Sequence, residues 1–148
     1  MLRSLGAFLL LALVAVAGVR ADTRQAQFLV QVTVPAHARL VAVEHPTHLT
    51  VSEDDLLRGY KDVPARYRVE SNAPRGWLVR LSPRLGITRH VEVSGLSGAL
   101  VVQGDAVEVY RPRTSGAEYL DVDYRFVLAP DVEPGTYELP IHVAATPL

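Results

Sequence analysis

The 148-residue chain contains no cysteine. That excludes disulfide staples, thiol nucleophiles and thiolate metal sites, so packing and strand pairing alone must hold the fold. Lysine is nearly absent as well: Lys61 is the only one, and arginine carries the remaining basic charge. There is no Gly-x-Ser-x-Gly nucleophile elbow, and Ser94-Gly95-Leu96-Ser97-Gly98 lacks the lysine and following helix of a phosphate loop. After the first 20 residues no apolar run is long enough to span a membrane, and no stretch shows the periodicity of a long helix.

What is present begins with an export signal. Met1-Leu2-Arg3, the apolar stretch Leu5 to Val19, and small side chains at Val19 and Ala21 have the form of a secretory signal peptide. Cleavage is expected after Ala21, which leaves residues 22–148 as a single domain with no membrane span. No cysteine follows the apolar stretch, so a lipid anchor at that site is excluded. Without Arg3 and Arg20 the chain has 13 basic and 16 acidic side chains, a net charge of −3 with histidine neutral. That balance gives no electrostatic footprint for nucleic acid or an anionic membrane.

Alternation of apolar and polar residues, the mark of a half-buried strand, recurs throughout the rest. It is clearest from Glu118 to Leu128, where Leu120, Val122, Tyr124, Phe126 and Leu128 share one face, and again from Thr136 to Ala144. Pro134-Gly135 between them suggests a hairpin on which the other segments pack. Further strands are expected at Phe28 to Val34, Arg39 to Glu44, His48 to Ser52, Ala65 to Ser71, Trp77 to Ser82 and Ile87 to Val93. Ala99 to Gln103 and Ala106 to Tyr110 flank Gly104-Asp105, which suits a type II′ hairpin. Ser52 with Glu53, Asp54 and Asp55 predicts one capped helical turn ended by Gly59. Nine or ten short strands with turn signals about every ten residues predict an all-β fold, an immunoglobulin-like antiparallel β-sandwich. Trp77, Tyr67, Tyr124 and Tyr137 are expected in its core, and Tyr137 is also placed to bond back to the turn before it.

Chemistry is sparse. His37, His45 and His48 fall within twelve residues and are the candidate zinc or copper ligands, although positions three apart in a strand face opposite sides unless Pro46 bends the chain. Glu53 to Asp55, Asp121 with Asp123, and Asp131 with Glu133 are candidate calcium carboxylates, but no stretch has the spaced acids and turn glycine of a calcium loop. No catalytic constellation emerges and no cofactor is implied, so a non-enzymatic role is expected.

The layout resembles the immunoglobulin-like pilin subunits of chaperone–usher fimbriae, in particular their cysteine-free alternative class. The resemblance rests on the signal peptide; the strand Phe28-Leu29-Val30-Gln31-Val32-Thr33-Val34-Pro35; the second strand Arg39 to Glu44; and the closing Pro134-Gly135-Thr136-Tyr137-Glu138-Leu139-Pro140-Ile141-His142-Val143. It implies an exported structural or adhesive subunit of the periplasm or cell surface. Each such subunit lacks one strand, and the N-terminal extension of the next fills the gap. Phe28, Val30, Val32 and Val34 would then enter a neighbouring copy or related subunit by β-strand addition, with a periplasmic chaperone guarding the groove beforehand. The alternative is that Phe28 to Val34 is the first strand of a self-complete binding module whose loops hold a sugar, protein or metal.

Overall fold

A computed structural model describes residues 29–84, 86–114 and 116–148. The expected signal peptide and Phe28 lie outside the described residues. Contact density separates Met1–Thr33 from a compact unit, Val34–Leu148. In the first unit, residues 29–33 carry no regular secondary structure.

The compact unit is all-β apart from one short helix. In chain order its elements are β1 (Ala38–Glu44), β2 (His48–Val51), α1 (Glu53–Arg58), β3 (Tyr60–Ser71), β4 (Trp77–Pro83) and β5 (Thr88–Ser94). They are followed by β6 (Leu100–Val102), β7 (Val107–Arg111), β8 (Glu118–Leu128), β9 (Gly135–Glu138) and β10 (Ile141–Pro147). Every pairing is antiparallel, in a five-stranded sheet ordered β1-β3-β8-β5-β6, a three-stranded sheet β10-β4-β7 and a β2-β9 ribbon.

The five-stranded and three-stranded sheets share one core. Tyr67, Val69, Val91, Val93, Leu120, Val122, Tyr124 and Phe126 come from the first sheet, and Trp77, Val79, Leu81 and Val109 from the second. β8 is the central strand, pairing β3 from Glu118 to Val127 and β5 from Asp123 to Leu128, and its five alternating apolar residues are all buried. Trp77 is 1% exposed. The Tyr67 and Tyr124 hydroxyls hydrogen-bond at 2.9 Å inside this core, and burial pushes both phenols up from their ordinary range.

The last two segments do not form the hairpin expected from their alternation. Pro140 divides Gly135 to Pro147: β9 pairs β2, β10 pairs β4, and neither pairs β8. The expected Gly104-Asp105 hairpin is also corrected, because β6 pairs β5 and β7 pairs β4, so the turn carries the chain from one sheet to the other. Alternation reports only which face is buried, and β6 and β7 satisfy it by burying Val102 and Val109 from opposite sides of the same core.

The helical turn forms where its capping residues dictate. Ser52 Oγ accepts from the Asp55 amide, and the Asp55 carboxylate accepts from the Ser52 amide at 3.0 Å. Gly59 closes the helix at φ +80°, the left-handed conformation that favours glycine. Asp55 is completely buried, yet it is paired with Lys61 at 2.9 Å and with Arg58. Burial alone would push its carboxyl up; Lys61 and the Ser52 amide and hydroxyl outweigh it and hold the group well below the usual carboxylate range.

Candidate functional site

The two edge strands β1 and β10 approach one another without forming a ladder. β1 pairs only with β3, and β10 only with β4, so each leaves one row of backbone N–H and C=O groups unpaired by strands among the described residues. Side-chain burial thins out at the same place. β8 buries five consecutive inward residues, whereas Ala38 and Leu40 of β1, and Val143 and Ala145 of β10, reach the core but remain half-buried. The seam between the two edges is therefore apolar, incompletely covered and lined with backbone groups that no described strand pairs. β10 is flanked by Pro140 and ends in Pro147, so its N–H groups run from Ile141 to Thr146, and alternate ones face the open edge while the others face β4.

The expected donor residues stand out differently. Phe28 lies outside the described residues. Leu29, Val30, Val32 and Val34 are 94%, 80%, 77% and 68% exposed, and residues 29–37 form no strand. Just downstream the chain is clamped. The Asn72 side-chain amide donates to the Pro35 carbonyl at 3.0 Å, His37 N–H donates to Asn72 Oδ1 at 2.6 Å, and Ser71 Oγ donates to the His37 carbonyl at 2.9 Å. A well-anchored strand thus begins at Ala38, while an alternating apolar segment immediately before it is neither buried nor part of a strand.

The three candidate metal ligands separate. His37 is held at the start of β1 and His45 follows its end, so the seven-residue strand places them on the order of 25 Å apart. His45 and His48 do come together, in a concavity of about 340 Å³ shared with Thr47, Arg84, Glu138 and His142. Nδ1 of His45 meets the Tyr67 hydroxyl at 3.1 Å, and Nδ1 of His48 meets the Thr47 hydroxyl at 2.9 Å. Burial lowers the affinity of the His45 ring for a proton. Arg84 donates to Glu138 at 3.0 Å. No group of three or more His, Asp or Glu side chains among the described residues converges to hold a metal. His142 belongs with this group but escaped the sequence reading. It sits in the polar phase of the last strand, more than ninety residues from His48, and only the β2-β9 and β10-β4 pairings bring the segments together.

The acidic groups behave as solvated or paired carboxylates. Asp121 accepts from Arg66 at 2.6 Å, which holds its carboxyl below the ordinary value. Asp62 receives two hydrogen bonds from Arg125, whose guanidinium lies 4.3 Å from the centre of the Tyr60 ring. Asp62, Arg125, Glu92 and Asp123 line a shallow depression of about 490 Å³ on the outer side of the five-stranded sheet. No described helix is long and apolar enough to cross a membrane. No protein-family model, curated protein or solved structure matches this chain.

Proposed function

We propose that this chain is a non-enzymatic, exported structural or adhesive subunit with an immunoglobulin-like sandwich, similar to the pilins of chaperone–usher fimbriae. It assembles by lending the segment Phe28 to Val34 to the β1–β10 seam of a neighbouring subunit. The observation that carries this reading is the open edge of β10. An immunoglobulin sandwich places strands A-B-E-D in one sheet and C-F-G in the other. Here β1-β3-β8-β5 occur in that spatial and sequential order, with β4 and β10 in the places of C and F. The place of G, beside β10, is occupied by no strand among the described residues.

The two halves of the interaction complement one another chemically. The seam offers unpaired backbone groups and half-covered apolar side chains; the segment before Pro35 offers an apolar face and backbone groups engaged in no strand. Strand addition satisfies both, the backbone supplying affinity and the alternating valines fixing register. Until that happens the open edge attracts non-specific strand pairing, which is the physical reason for a periplasmic chaperone as partner. The test is complementation in trans. A synthetic peptide of residues 27–35 added to residues 36–148 is expected to bind one-to-one and raise the melting temperature. Absence of binding by the peptide, with the domain folded, would refute the reading.

A further inference from the structure

The strand-pairing reading leaves the histidine-rich concavity without a role, and its chemistry points to a ligand of its own. Its walls come from five separate segments: His45 and Thr47 from the β1–β2 connection, His48 from β2, Arg84 from the β4–β5 connection, Glu138 from β9 and His142 from β10. Five of its eight lining side chains, His45, Thr47, His48, Arg84 and His142, carry hydrogen-bond donors. The sole carboxylate, Glu138, is already engaged by one nitrogen of Arg84, and the remaining guanidinium N–H groups have no other side-chain acceptor among the described residues. Two of the imidazoles are oriented from behind. Tyr67, itself bonded to Tyr124, holds Nδ1 of His45, and Thr47 holds Nδ1 of His48, which leaves each Nε2 without a protein hydrogen-bond partner among the described residues.

Such an arrangement suits an anion better than a metal ion, because no three His, Asp or Glu side chains among the described residues are grouped to hold a metal, whereas donors dominate the polar lining. At about 340 Å³ the concavity is at the small end of ligand pockets, the scale of a single sugar ring, and Leu139 and Ile141 complete its lining. We propose that this concavity binds a carboxylate-bearing ligand the size of a monosaccharide, a uronate unit being the simplest example, with Arg84, His48 and His142 holding the carboxylate. Burial of His45 against Tyr67 opposes protonation of its ring. The inference does not rest on strand donation: none of these residues belongs to the segment before Pro35, although His142 lies on β10, which borders the seam.

The experiment is a titration of the full mature chain with D-galacturonate, followed by the ring and backbone resonances of the histidines. D-Galactose and acetate serve as the two comparison probes. Saturable galacturonate shifts at His48 and His142, absent for galactose, are expected. Acetate distinguishes the sources of the carboxylate: equal affinity for acetate overturns the sugar-acid assignment. Arg84→Ala and His142→Asn alter exposed side chains, so both variants should fold normally and lose at least about fivefold in affinity. No saturation by galacturonate below about 10 mM, or unchanged binding in both folded variants, overturns the proposal.

Discussion

Replacing Val30 and Val32 together by aspartate separates the two roles that the N-terminal segment can have. Both side chains are about four-fifths exposed and outside any strand. The double substitution is therefore expected to leave the stability of the isolated subunit within about 0.5 kcal/mol of the parent. In a neighbour's seam the same valines become buried, and each contributes about 1.5–2 kcal/mol of transfer free energy. Losing both removes about 3–4 kcal/mol, which corresponds to roughly a 100- to 1,000-fold loss in association, before the cost of burying two carboxylates is added. Sedimentation velocity over a concentration series measures association, and Trp77 fluorescence during urea unfolding measures the subunit itself. A lower unfolding midpoint with unchanged association would refute the reasoning, because it would place the valines in their own domain.

Other consequences follow from the packed core and its connections. Phe126→Ala, at a fully buried site on β8, should cost about 3–5 kcal/mol in chemical denaturation, while Tyr119→Ala on the solvated face of the same strand should cost less than about 1 kcal/mol. Gly95→Ala should destabilise by about 3 kcal/mol or more, since its Cβ would lie 2.0 Å from the Asp121 carbonyl oxygen at φ +92°. Gly98→Ala, with open space around the new methyl, should cost only about 1 kcal/mol; equal melting temperatures for the two variants would contradict the geometry. Asp55→Asn should lower stability at pH 7 by about 2–3 kcal/mol through loss of the cap and of the Lys61 and Arg58 pairings. Because the folded-state affinity of Asp55 for a proton is depressed, its contribution is complete above the ordinary aspartate value near 3.9 and disappears as the pH falls below it. The difference between parent and variant in urea midpoint should accordingly shrink between about pH 5 and pH 2.

Faces were legible in the sequence and partners were not. The alternation from Glu118 to Leu128 correctly identifies the buried residues of β8, and the serine and acids at 52–55, with Gly59, locate both ends of α1. Tyr137 donates to the Glu133 carbonyl at 2.7 Å, the corner bond its position predicts. Period-two patterning, however, is blind to which sheet a strand joins, and so the 118–144 and 99–110 hairpins were misassigned. β3 begins at Tyr60, five residues before the expected Ala65, and so contains Pro64. Proline is tolerated there since β1 pairs β3 only from Arg66 onward, leaving Pro64 with a strand neighbour on one side alone. The histidine concavity was half legible: His45 and His48 are close in sequence, but Arg84, Glu138 and His142 join them only through tertiary pairing.

The central claim is that the apolar segment before Pro35 belongs to a neighbour's seam rather than to its own domain. Light-scattering mass across a size-exclusion profile of residues 22–148 tests it most directly. The account predicts a ladder of masses at integral multiples of the subunit, collapsing to a single monomer peak when excess peptide 27–35 is added. A sharp monomer at every concentration, with the amides of residues 29–34 protected from hydrogen exchange, would contradict it.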